Sequence, residues 1–282
     1  MTPLIDTHSH PQTRPFTADR AEVLRRAREA GVGTLIIVGF DTPSSRAALD
    51  LAHQGVDRWA TAGIHPHDAA QATPDDWREL ERMAEDPKLV AFGEMGLDFF
   101  RNLSPHDVQQ AVFQRQLDLC AHFDLPAVVH SRDAEEATWA ILEPWCQARR
   151  AAGAAEPFGV MHCYAYGPRA ALRYVEAGFC ISIPGTVTYR NNVRGQEVAQ
   201  AVPDGSFVLE TDCPYLTPQS RRGKRNEPAY IVETQQFVAR LRGVPPERVA
   251  EVSTAAARRL FRLDAAEARL AAAQSTGGGG PG

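Results

Sequence analysis

Two histidines one residue apart, His8 and His10, sit in the stretch LIDTHSH at positions 4–10. Alternate residues of a strand point the same way, so imidazoles at this spacing can face one divalent ion together. Alone, His-x-His is a weak signal, and two surface histidines on an N-terminal arm would read identically. Further groups of ligand type recur along the chain: His65, Glu94, His130, His162 and Asp212. Imidazole and carboxylate together suit divalent transition ions, and a carboxylate can bridge two of them. Four histidines with Glu94 and Asp212 are too many ligands for one catalytic zinc with an open position. They suit two metals sharing a carboxylate, a pair able to activate water for hydrolysis.

Residues so distant in sequence must be brought together by regular elements. Short apolar runs predict strands at 4–8, 34–40, 59–65, 89–94, 126–131, 158–163, 179–184 and 206–212. Several are near-continuous Val/Ile/Leu/Ala runs, as parallel strands covered on both faces require. Helix signatures lie between them. Thr73 is a candidate N-cap ahead of Pro74 and two acids, and Ser104–Pro105 repeats the pattern. A first helix over 19–30 ends at Gly31. Eight β/α repeats point to one (β/α)₈ TIM barrel over residues 1–264. The remainder, 265–282, reads as a helix end and a disordered Gly-rich tail. A doubly wound open sheet is the alternative, but no Gly-rich nucleotide fingerprint follows the first strand.

In the barrel reading, five of the nine histidines (His8, His10, His65, His130, His162) fall at or just past carboxyl ends of strands. Barrel active sites form at that one face, so these groups should converge with Glu94 and Asp212. The 282-residue chain is 44% hydrophobic with a formal charge of −5, ordinary for a globular protein and not that of a whole-surface nucleic-acid binder. No apolar stretch approaches the roughly 20 residues that span a bilayer. Five scattered cysteines without a CxxC pair are the pattern of reduced thiols, which places the protein in the cytoplasm. No obligate protein partner is evident.

The stretches IDTHSH (5–10), GIHPH (63–67), GEMGLD (93–98), VVHSRDA (128–134), MHCY (161–164), LETDCPYL (209–216) and RGKRNEPAYI (222–231) together resemble the TatD family of metal-dependent hydrolases, within the amidohydrolase superfamily. LETDCPYL and RGKRNEP are far more specific than His-x-His, and the resemblance runs from residue 4 to about 262. It implies a metallo-dependent-hydrolase barrel acting as a DNase, typically a 3′→5′ exonuclease supported by magnesium. It further implies one metal on His8, His10 and Asp212, a second on His130 and His162, and Glu94 bridging them. The ion pair could be Mg, Mn or Zn. Many superfamily relatives bridge their metals with a carboxylated lysine on strand 4. Lys88 and Lys224 are the only lysines and neither lies on that strand, so Glu94 is the available bridge.

Asp212 would then serve as general base as well as ligand. His65 has no assigned metal and would hydrogen-bond a phosphate or product oxygen. His67 reads as an incidental rim residue, and Asp98 either orients a ligand histidine or caps a turn. The run SRRGKRNEP (220–228) is the densest positive charge in the chain, offering Arg222 and Arg225 as phosphate contacts on a DNA substrate. Period-two alternation would turn Cys163 and Cys213 away from the lumen. The sequence HCYAYG replaces the family's common HCFSG, so Tyr164 and Tyr166 bear on the pocket wall. Two competing functions remain: another ester or amide hydrolysis, such as an aminoacyl-RNA deacylase or lactonase, and a metal-binding protein without turnover.

Overall fold

The computed structural model describes residues 2–277. Eight parallel strands pair in sequence order: β1 (Leu4–Ser9), β2 (Val32–Val38), β3 (Arg58–Ala62), β4 (Leu89–Asp98), β5 (Ala127–Arg132), β6 (Gly159–Met161), β7 (Phe179–Ile183) and β8 (Phe207–Leu209). Helices α1 (Arg20–Glu29), α2 (Thr42–His53), α3 (Pro74–Ala84), α4 (His106–His122), α5 (Glu135–Ala151), α6 (Pro168–Glu176), α7 (Val193–Ala201) and α8 (Ile231–Arg242) follow them in turn. The result is the expected (β/α)₈ barrel. Two further helices, α9 (Pro246–Leu260) and α10 (Leu263–Gly277), complete the chain.

Helix starts follow the local chemistry, with one difference. Thr73 caps α3 in a reciprocal box with Asp76, as its sequence suggests. Ser104 does not cap α4, whose N-cap is Pro105. Its hydroxyl instead donates to His67 O (2.9 Å) and accepts from Ala70 N (3.0 Å), tying the loop after β3 to the loop after β4. α10 runs through the boundary expected at 264, burying Leu263 and Ala266. The Gly-rich end beyond Gly277 lies outside the described residues. Among the described residues, no helix is long and apolar enough to cross a membrane.

Two apolar layers hold the barrel. Between strands and helices lies the larger core, with Leu35, Ile37, Val129, Met161 and Leu209 packed beneath the helical ring. Inside the barrel Ile36, Val90, Val128, Val160, Cys180 and Val208 form a second cluster, joined by Leu260, Phe261 and Leu263 from the α9–α10 corner. Side chains alternate along a strand, so each of Val128, Val160 and Val208 is followed two positions on by a polar group of the same face. Those groups are His130, His162 and Glu210. The apolar lumen is therefore the floor of a polar cluster at the carboxyl end.

Gly96, in β4 opposite His130 of β5, has φ +132, and a Cβ there would lie 2.0 Å from His130 O. Only glycine lets the two strands approach this closely. Gly96→Ala is expected to lower the unfolding free energy by about 3 kcal/mol, measured by urea titration; an unchanged midpoint would show that the backbone yields freely there.

Candidate active site

Strands β3, β6 and β8 stop earlier than their sequences suggest, at Ala62, Met161 and Leu209. His65, His162 and Asp212 therefore sit on the turns just past strand ends, while His8, Glu94 and His130 lie within strands. β4 is longer than expected, so Asp98 is its last residue rather than part of a turn. His8 and His10 do face the same way, with their Nε2 atoms 3.2 Å apart.

Everything gathers around Glu94. Its Oε2 lies 3.4 Å from His8 Nε2, and its Oε1 lies 3.1 Å from His130 Nδ1, 3.4 Å from His65 Nε2 and 3.6 Å from His162 Nε2. Asp212 Oδ1 stands 3.4 Å from His10 Nε2, 3.8 Å from His8 Nε2 and 4.0 Å from His162 Nε2. Four sets of donors are close enough to share an ion: His8–His10–Asp212, His65–Glu94–His130, His8–Glu94–His162 and His162–Cys163–Asp212. His65, expected to stand apart from the ligands, is one of the groups touching Glu94. All six expected ligands meet at one place.

Partners outside the cluster fix which nitrogen of each ring looks inward. A carbonyl can only accept, so His10 donates Nδ1–H to Val38 O (2.8 Å) and presents the lone pair of Nε2. His162 donates Nδ1–H to Glu210 Oε2 (2.9 Å), and His130 donates Nε2–H to Asp98 Oδ2 (3.1 Å). Glu210 is held in turn by Ser182 Oγ–H (2.6 Å) and Cys163 N–H (2.8 Å). Asp98 both orients and caps: Oδ2 also accepts from His67 Nε2 (2.9 Å), and Oδ1 accepts from Phe100 N and Arg101 N. His67 is thus a partner of Asp98, not an incidental rim residue. Such outer carboxylates set ring orientation and raise ligand basicity.

Three lone pairs and two carboxylates facing one another among largely buried side chains repel unless positive charge lies among them. Protons supply some of it. Burial disfavours charge on His162, yet Glu210 and Glu94 outweigh it and lift the ring to about 10. Burial likewise opposes His10 and His130, but Asp212 for the first and Asp98 with Glu94 for the second raise them. His8 is pushed down to about 3 by burial and then by His162, and burial lowers His65. Glu94, which burial alone would raise, is held well below its ordinary value by His65, His162 and His130. Divalent cations can take the place of these protons, and the donor set fits them.

Sequence reasoning missed Glu210 and Asp6. Glu210 could have been found by alternation, being two residues before Asp212 on the lumen face. Asp6 gave no such signal: its carboxylate accepts from Thr211 N (2.9 Å) and Thr211 Oγ1 (2.6 Å), stapling the first strand to the segment just past the last. Cys163 departs from expectation. β6 has already ended, and at φ 45 alternation no longer applies, so its sulfur joins His162 and Asp212 within ligand reach of one another. Cys213 does point to the helical layer, packed with Val23 of α1 and with Phe16 in the turn ahead of that helix. Tyr166 braces the site from behind, sharing its hydroxyl with Ser131 Oγ (2.8 Å) and Ala134 N (3.1 Å).

The basic run divides. Arg225 forks onto Asp19 (2.7 and 2.8 Å) and covers Phe16, so the structure gives it a fold-holding partner in place of the expected open guanidinium. Its neighbours Asn226 and Glu227 also tie the loop down, to Thr211 O and to Arg26. Arg222 is exposed, lying over the Tyr189 ring at 4.9 Å.

A parallel barrel with an imidazole–carboxylate cluster at its carboxyl end is the architecture of a metal-dependent hydrolase. The chain belongs to the TatD related DNase family, whose model matches residues 5–262. It is 36% identical over 261 residues to an uncharacterized metal-dependent hydrolase, YabD, of Bacillus subtilis (strain 168), covering 93% of this chain and 100% of that one. It is 39% identical over 257 residues to the 3′-5′ ssDNA/RNA exonuclease TatD of Erwinia billingiae (strain Eb661), covering 89% and 95% respectively. Among solved structures, YJJV, a TatD homolog from Escherichia coli K12, superposes with a TM-score of 0.85 at 29% identity, covering 92% of this chain and 98% of that one.

His162 is raised in the folded chain above its ordinary 6.5, so its pairing stabilises the metal-free protein below that pH and is lost as pH climbs through about 10. A cation binding at pH 8 must expel that proton. Calorimetric zinc titration in buffers of different ionisation enthalpy should therefore show proton release, reduced by about one in Glu210→Gln. An equal count in the variant would separate Glu210 from the site's charge.

Proposed function

We propose that the protein is a metal-dependent nuclease that removes nucleotides from the 3′ end of DNA. The observation that carries this reading is the convergence of His8, His10, His65, His130, His162 and Asp212 on the buried Glu94 carboxylate. His8, His10 and Asp212 would hold one divalent ion and His130 and His162 a second, with Glu94 between them and His65 within reach. Five imidazoles against two carboxylates favour Zn over Mg. Such an ion pair lowers the pKa of water and offsets charge on an attacked phosphoryl group.

Asp212 and Glu94 have different parts. Glu94 is enclosed by rings on every side and positions them. Asp212 has the more open side chain, 13% exposed against 8% for Glu94, and faces the mouth. It is the group that can take a proton from an attacking water and pass it to the leaving 3′ oxygen. His65 Nε2–H is directed to the cluster and would steady a phosphate oxygen or a product. Arg222, exposed on the loop after β8, would meet a neighbouring phosphate.

Incubation of the zinc-, manganese- or magnesium-loaded protein with single-stranded DNA, RNA and a carboxylic-ester panel separates this reading from a carbonyl hydrolase. Mononucleotide release from DNA is expected; ester turnover alone would sink the nuclease reading. Asp212→Asn should lower kcat by roughly 10²–10⁴ with the unfolding midpoint little changed, and normal turnover would remove its role as base. Arg222→Ala should reduce the slope of log Kd against log salt by about 1, and an unaltered slope would take the phosphate contact away.

A further inference from the structure

Exposed apolar residues scattered singly are ordinary, but a concentration on one face marks a contact site. Among the described residues five large hydrophobic side chains are exposed: Val56, Phe100, Leu103, Val193 and Tyr215. All but Val56 lie past carboxyl ends of strands, on the face that carries the site. Phe100 and Leu103 follow β4, Val193 opens α7 after β7, and Tyr215 follows β8. In an eight-stranded ring β4 and β8 are diametrically placed, so Phe100 and Tyr215 flank the mouth from opposite sides.

Phe100 is fixed in place by the site itself. Asp98 Oδ1 accepts from Phe100 N (3.1 Å) and Arg101 N (2.8 Å), while Oδ2 of the same carboxylate holds His130. The ring is 56% exposed. Arg132, which pairs with Asp98 in the strand register, lays its guanidinium over that ring at 3.9 Å. Arg132 has no carboxylate partner among the described residues, nor do the exposed Arg101, Arg190 and Arg222 of neighbouring mouth loops. In a chain of net charge −5, unpaired cations and open aromatic rings are gathered around one opening. An aromatic face backed by a guanidinium, with free cations beside it, matches a nucleobase joined to phosphates.

We propose that Phe100, backed by Arg132, is a stacking platform for an unpaired base of the strand whose end enters the site. This rests on the nuclease reading and deepens it by naming the residue that would meet a base of the strand. A duplex base is already stacked and paired, so only single-stranded nucleic acid can offer its face to Phe100. Phe100 is on this account a specificity-determining residue; the hydrolytic groups lie deeper.

Fluorescence anisotropy on the zinc-loaded protein tests this with two labelled probes capped at the 3′ end by phosphorothioates. One is oligothymidylate of about 12 nucleotides, long enough to cross one binding groove; the other has the same backbone with abasic sites. Phe100→Ala should weaken oligothymidylate binding by roughly 5- to 150-fold, the range that aromatic–base stacking supplies, and leave the abasic strand unchanged. Phe100→Trp should bind oligothymidylate as the native protein does. Equal affinity of Phe100→Ala and native protein for oligothymidylate overturns the platform. So does an equal loss on the abasic strand, a Trp variant as weak as Ala, or a native protein that binds neither probe. If the base-dependent loss is seen but uncapped strands are never hydrolysed, the platform stands and the nuclease reading falls.

Discussion

The seam between the first and last strands is the constraint on which the rest of the molecule depends. A barrel must close with residues about as far apart in sequence as the chain permits, and here closure and site construction are one act. Asp212 N donates to His8 O and His10 N donates to Cys213 O, both at 2.9 Å. Regular pairing is reduced to a single bridge, Ser9 to Cys213. The Asp6 carboxylate supplies what the backbone does not, taking both the amide and the hydroxyl of Thr211. Because hydrogen bonds that close the ring involve the proposed ligand residues themselves, His8, His10 and Asp212 cannot drift apart without opening the barrel.

That seam sets a charged cluster on an apolar floor. Val128, Val160 and Val208 fill the lumen beneath His130, His162 and Glu210, excluding water from below. Burial at this depth makes each unpaired charge costly, and the structure answers with a second tier of carboxylates. Glu210 behind His162 and Asp98 behind His130 keep the inward nitrogens unprotonated and aimed when cations are bound. Asp98 also fixes the loop that carries Phe100, so the hydrolytic cluster and the proposed recognition surface share one anchor. Ordering at the rim and ordering at the centre are thereby linked through a single side chain.

The fold and the convergence of the imidazole and carboxylate groups were legible with little loss, because both rest on strong periodic signals. Buried parallel strands must be apolar, and functional residues of a barrel must follow them, so His130 and His162 were legible from position alone. Strand ends were less so: apolar character continues past Ala62, Met161 and Leu209, where hydrogen bonding stops. That error hid the turn at Cys163, whose positive φ redirects its sulfur toward the site. Asp6 and the true employment of Arg225 were illegible for another reason. Each is defined by a partner remote in sequence, namely Thr211 and Asp19. Charge clustering alone cannot distinguish a guanidinium that meets a substrate from one that pins a loop.

The residues around Glu94 are proposed to hold a pair of divalent cations. Anomalous diffraction at the zinc edge, on crystals grown with zinc, tests this most directly. Two peaks about 3.5–4 Å apart, with Glu94 between them, are the expected result. A single peak away from Glu94, or no peak within reach of His8, His130 and Asp212, would contradict the account.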